Sequence, residues 1–102
     1  MIKVIVKRNN KQIQEMIISG HALYDTVGKD IVCAAVSSMA ITTVNAILSL
    51  EETIKYQEDE GLLKISVIKG TDVNAKLLDN LNRMLKELMS QYPKNIEIRN
   101  ED

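Results

Sequence analysis

Ile31-Val32-Cys33-Ala34-Ala35-Val36-Ser37-Ser38-Met39-Ala40, continuing as Ile41-Thr42-Thr43-Val44-Asn45-Ala46-Ile47-Leu48-Ser49-Leu50, is a run of twenty residues without a charge. A run of this length is about what a bilayer span needs. Ser37, Ser38, Thr42, Thr43, Asn45 and Ser49 interrupt it too densely for a lone span, and the flanking sequence alternates in the manner of a soluble sheet protein. No membrane contact is therefore expected. The segment reads as a helix from about Lys29 to Leu50, roughly 33 Å long at 1.5 Å per residue. Its apolar residues, from Ile31 and Val32 through Met39 to Ile47 and Leu48, exceed one stripe, so it should be covered from more than one side. A sheet and a partner subunit would suffice.

Outward from this helix the pattern is that of strands. Ile2, Val4 and Val6 alternate with Lys3, Ile5 and Lys7, and Lys11 to Ile18 resumes an extended pattern after Asn9 and Asn10, which tolerate a turn. Beyond the helix, Thr53 to Gln57 and Leu62 to Ile68 form a second strand pair around Glu58-Asp59-Glu60-Gly61. Leu77, Leu78, Leu81, Met84, Leu85 and Leu88 trace an amphipathic helix ending near Gln91, and Pro93 blocks its continuation. Asn95 to Arg99 closes the chain as a short strand. The predicted fold is α+β, in the order ββαββαβ: a mixed β-sheet packed with two α-helices. Strands with one polar face favour two layers over a three-layer α/β/α sandwich, the alternative.

At 102 residues, 45% of them hydrophobic, the chain suits a single domain spanning 1–102. Thirteen basic residues against fourteen acidic ones leave a net charge of −1, and neither Phe nor Trp is present. Direct binding of nucleic acid is not expected from such a surface. One cysteine permits no internal disulfide and no secretory signal pattern opens the chain, so a cytoplasmic location is expected.

The candidate chemistry lies at the one histidine, His21, and the one cysteine, Cys33. A thiol becomes nucleophilic as thiolate, which a helix N-terminus and a neighbouring imidazolium both favour. Cys33 falls in or just after the first turn of the long helix, and His21 lies on the loop that would fold back over that end. A small core cysteine beside an ordinary loop histidine has the same sequence, so both readings stay open. A metal site would need two further ligands that no spacing supplies. Asp30 and Ser37, three residues before Cys33 and four after it, share its helical face. Asp30 could hold the imidazole in one tautomer or complement the helix dipole; Ser37 could bond to the thiolate or to its own backbone.

Gly20-His21 followed by Gly28-x-Asp30-x-Val32-Cys33-Ala34-Ala35-Val36-Ser37 closely resembles the signature of the ribosomal-processing cysteine protease family Prp, also called YsxB-like. The resemblance extends over essentially the whole chain. It implies removal of a short N-terminal extension from the large-subunit ribosomal protein L-twenty-seven. Cys33 would be the nucleophile, His21 the general base, and Asp30 and Ser37 supports of site geometry. It further implies a homodimer and a largely uncharged substrate groove. Thiolate attack with an acyl-enzyme intermediate requires no metal or organic cofactor, and backbone amides at the start of the long helix are the expected oxyanion donors. The loop from Ser19 to Gly28 is expected to act as a substrate gate, with Gly20 and Gly28 as hinges and Leu23, Tyr24 and Val27 as apolar contacts. The alternative from another class is a non-catalytic ribosome-associated or RNA-binding module.

Overall fold

The computed structural model describes residues 1–26 and 28–101. Val27, expected to be part of the gate, lies outside the described residues. The elements are β1 (Ile2–Asn9), β2 (Gln12–Ser19), α1 (Ile31–Leu50), β3 (Ile54–Asp59), β4 (Leu62–Val67), α2 (Asp72–Gln91) and β5 (Ile96–Glu101). The strands form one sheet in the order β3-β4-β2-β1-β5. The two hairpins and the β2–β4 contact are antiparallel, and β5 joins β1 in parallel, as a crossover through α2 requires.

The register shows why there are two layers. Val4 opposes Ile18 and Val6 opposes Met16; Ile2 opposes Ile96; Ile18 opposes Leu63 and Met16 opposes Ile65; Ile54 opposes Val67. Residues directly opposed share a face, so the buried apolar residues of all five strands line one side of the sheet. Both helices cover that side. The other side carries Lys3, Lys7, Glu15, Ser66 and Glu97 and faces solvent. The three-layer alternative is thereby set aside.

A bulge refines this pattern. Between Lys7 and Arg8 the register on β2 jumps from Glu15 to Ile13, leaving Gln14 as the extra residue. Without the jump Ile13 would share the solvent face with Glu15; with it, Ile13 is buried. Arg8 is turned to the helix side by the same parity and pairs with Asp79 of α2 at 3.4 Å. Gln14 donates to the Val67 carbonyl at 2.8 Å and ties the bulge to β4.

The long helix spans the uncharged run itself and begins at Ile31, two residues after the expected start near Lys29, because Asp30 caps it. Its buried residues, Val32, Val36, Ala40, Val44 and Ile47, form one stripe against the core. The rest of its circumference is less apolar than its composition implies. Ala34, Ser37, Ser38, Thr42, Asn45 and Ser49 face outward, so within this chain the helix is covered from one side only. Ile31, Leu48 and Leu50 are exposed exceptions. At the far end Asn74, 1% exposed, donates to the Thr53 hydroxyl and the Lys69 carbonyl and completes a capping box with Thr71, whose hydroxyl also bonds to Glu51. The end of α1 and the start of α2 are thus locked to each other, and the opposite end of α1 carries the candidate chemistry.

Candidate active site

β2 runs out at Ser19, and the chain turns at Gly20, whose φ of +88° and N–H bond to the Gly61 carbonyl at 2.9 Å set its direction. A Cβ there would lie 2.6 Å from the Met1 carbonyl oxygen. A side chain at Gly20 would therefore be crowded by the backbone of Met1. Gly20→Val combines this clash with a left-handed backbone that a β-branched residue adopts only at cost, together about 2–3 kcal/mol. Its melting temperature should fall by roughly 10 °C or more in a thermal scan, with cleavage reduced alongside. An unchanged melting temperature would show that the turn has other conformations open to it.

From Gly20 the chain reaches His21, exposed, and Ala22, 1% exposed. The Ala22 N–H points at Cys33 Sγ, 3.2 Å away, and its carbonyl accepts from Asn95 Nδ2 at 2.9 Å. Leu23, at φ +58°, then swings the chain outward. Tyr24 and Asp25 return to donate their N–H groups to Asp30 Oδ2 at 3.0 and 3.3 Å. Asp30 Oδ1 accepts from Val32 and Cys33 N–H, both at 3.0 Å. Burial pushes this carboxyl up, and the four backbone donors outweigh that push, holding it below its ordinary value. Asp30 is thus the N-cap of α1 and also the clamp of the preceding loop.

This corrects two expectations. Both carboxylate oxygens are committed to backbone amides, so the part expected for Asp30 in holding the imidazole is replaced by one in holding backbone. The Val32 and Cys33 amides are spent on Asp30 Oδ1, and the Ala34 amide bonds to the Asp30 carbonyl at 3.1 Å, so the helix start is not a free set of oxyanion donors. The loop is also less free than a gate with few anchors. It is fixed at Ala22 and again at Tyr24 and Asp25.

Two cavities meet at Cys33. One, of about 360 Å³, is lined by His21, Leu23, Asp25, Gly28, Asp30, Cys33, Ala34 and Ser37. The other, of about 300 Å³, shares His21, Cys33 and Ser37 and continues past Gly20 to the β3–β4 turn with Glu58, Asp59, Glu60 and Gly61. His21 Nε2 stands 3.5 Å from where a Gly61 Cβ would be. His21, Cys33, Asp30, Ser37, Leu23 and Gly28 are therefore brought together around one hollow, with Gly20 on the second. Tyr24 is not part of either lining. Its ring meets Tyr92 edge-on, centroids 5.3 Å apart. The groove is uncharged only in part, since the second cavity carries the acidic turn. The sequence reading missed that turn, Tyr92 and Asn95 as neighbours of the site; nothing in their spacing brings them to it.

A half-buried thiol in the first turn of a helix, facing a hollow shared with an imidazole, is the layout of a thiol-dependent hydrolase, and the comparisons with known proteins agree: the chain is a cysteine protease. Residues 1–97 match the sequence model described as cysteine protease Prp, and the chain belongs to that family. It is 31% identical over 103 residues to the ribosomal processing cysteine protease Prp of Staphylococcus aureus, covering 96% of this chain and 97% of the relative. The crystal structure of the S. aureus protease with a covalently linked product peptide superposes with a TM-score of 0.94 at 28% identity, covering 99% of this chain and all of the other. Its complex with a substrate peptide gives 0.83 at 27% identity, with the same coverage. The reading as a non-catalytic module gives way to this assignment.

Proposed function

We propose that this protease removes the short N-terminal extension of the large-subunit ribosomal protein L-twenty-seven, with Cys33 as nucleophile and His21 as general base. The observation that carries the reading is that the chain's one cysteine and one histidine line the same two adjoining cavities. A cysteine protease with a single thiol has a single choice of nucleophile. His21 is exposed, follows the turn fixed by Gly20 and lines both cavities together with Cys33. The thiolate attacks the scissile carbonyl, the imidazolium protonates the leaving amine, and water activated by the imidazole hydrolyses the thioester. Asp30 holds the loop and helix in register for this, and Ser37, one turn beyond Cys33, lines both cavities beside the thiol.

The mostly carbon-lined hollow around Leu23 and Ala34 suits an apolar stretch of peptide. The exposed Ile31, Leu48 and Leu50 on α1 support a homodimer that covers them, and light scattering at micromolar concentration should report twice the chain mass. A cytoplasmic setting, where the ribosomal substrate is made, completes the reading. The deciding experiment is incubation with a peptide copied from the extension of the host's own ribosomal protein, read by mass spectrometry beside a scrambled control. One cut that frees the extension is expected; an intact peptide at micromolar enzyme would overturn the substrate assignment.

A further inference from the structure

We propose that the backbone N–H of Ala22 is the oxyanion donor of this enzyme and that Asn95 is the positioning residue that aims it. The proposal rests on the reading of Cys33 as nucleophile. It begins from the commitment of the amides of Val32, Cys33 and Ala34 to Asp30. An oxyanion formed at a carbonyl attacked by Cys33 must then find its donor off the helix. Among the described residues, the Ala22 N–H, 3.2 Å from Sγ, is the backbone donor already directed at the sulfur.

The donor is also held in place. Ala22 is buried between exposed neighbours, His21 and Leu23, and its carbonyl is fixed by the Asn95 side chain at 2.9 Å. Asn95 is itself pinned on both sides of its backbone. Its N–H donates to the Tyr92 carbonyl at 3.0 Å, and its carbonyl accepts from Ile2 N–H at 2.8 Å. The end of α2 and the start of β1 thus converge on one side chain, which passes their rigidity to the loop. Ala22 lies 73 positions from Asn95, so this bond is a product of the fold alone.

The chemistry uses the donor where charge moves. As the sulfur lone pair forms the S–C bond, the carbonyl π pair shifts to oxygen, and negative charge passes from sulfur to oxygen. An N–H bonded to the sulfur in the resting enzyme can follow that charge to the oxyanion, an interaction strongest in the transition state. On collapse the pair on oxygen restores the carbonyl, the C–N bond breaks with its pair on nitrogen, and the His21 imidazolium supplies the proton. Water then attacks the thioester, gives its proton to His21, and the thiolate leaves.

The test deletes the N–H alone. Ligation of a synthetic segment 1–32 to residues 33–102 at Cys33 allows the His21–Ala22 amide to be replaced by an ester. The full-length ester should keep KM within about twofold and lose roughly 10²-fold in kcat, the usual effect of one oxyanion donor. A peptide aldehyde, whose adduct with sulfur carries the tetrahedral oxygen, should lose affinity by a similar factor. Asn95→Ala and Asn95→Asp, which remove the donor to the Ala22 carbonyl, should lower kcat and aldehyde affinity about tenfold while uncleavable peptide binds as before; a merely structural role would not separate these readouts. An ester with kcat and aldehyde affinity within twofold of the parent overturns the Ala22 assignment, and an impaired ester beside unaffected Asn95 variants overturns the part given to Asn95. Should the ester not fold, aldehyde affinity in Asn95→Asp decides, unchanged affinity overturning the proposal. Cleavage retained by Cys33→Ala is a separate result that removes the nucleophile beneath it.

Discussion

Cys33→Ala is expected to leave a folded protein that does not cleave its peptide at all. The thiol is only half-buried and packs at the margin of the core, so alanine removes one sulfur and, with it, the weak acceptor of the Ala22 N–H, and the melting temperature should fall by only a few degrees. Chemistry, by contrast, loses its only nucleophile, since the chain has no second cysteine. Cys33→Ser should be almost as inactive, because a hydroxyl in the same place is scarcely ionised where a thiol is. His21→Ala should reduce kcat by about 10²–10⁴-fold, the range of a general acid–base group, with no stability change to match, because the ring is exposed. Single-turnover cleavage followed by mass spectrometry, beside a thermal scan of each variant, separates the two effects. Near-parental turnover by His21→Ala would remove the dyad, and turnover by a verified Cys33→Ala preparation would remove Cys33 as the nucleophile.

These residues stood out in the sequence because they are single of their kind and bracket the start of a conspicuous helix. The sheet was equally open to reading. Alternation in Ile2, Val4, Val6 and in Leu63, Ile65, Val67 marks one buried face, and the register places both sets on it. What escaped was everything set by hydrogen bonds between distant backbones. The alternation in Lys11 to Ile18 does not announce the bulge at Gln14 that buries Ile13. The apolar count of α1 suggested cover on several sides, yet Ala34 and the Ser and Thr residues around it are small enough to face water at little cost. Asp30 was identifiable as an acid near a helix start. That its two oxygens would divide between the helix and the loop follows from where Leu23 turns the chain, and a left-handed leucine has no signature in sequence.

That division makes Asp30 the place where stability and activity can be separated by two substitutions. Asp30→Ala removes the acceptor of four backbone N–H groups, one pair capping α1 and the other holding Tyr24 and Asp25. Loss of an N-cap costs about 1 kcal/mol, and leaving a partly buried donor unpaired costs a further 1–3 kcal/mol, so a deficit of about 2–4 kcal/mol is expected. For a chain of this size the melting temperature should fall by roughly 10–20 °C, and cleavage should be lost with it. Asp30→Asn behaves differently. Its remaining oxygen can keep the cap on Val32 and Cys33, and asparagine caps about as well as aspartate, so the melting temperature should fall by only a few degrees. Its amide nitrogen cannot accept from Tyr24 and Asp25, so the loop carrying His21 and Ala22 is released on one side. Turnover should fall about tenfold or more with KM little changed, as for a residue that orients the reacting groups. The parent enzyme adds a pH signature. A carboxyl held below its ordinary value of 3.8 in the folded protein contributes stability that is fully present above about that pH and is lost as pH falls through the depressed folded value. The acid limb of the parent's stability profile should therefore be steeper than that of Asp30→Asn, which has no proton to bind there. Superimposable acid limbs, or an Asp30→Asn enzyme with parental turnover, would show that the clamp on Tyr24 and Asp25 is not what holds the site together.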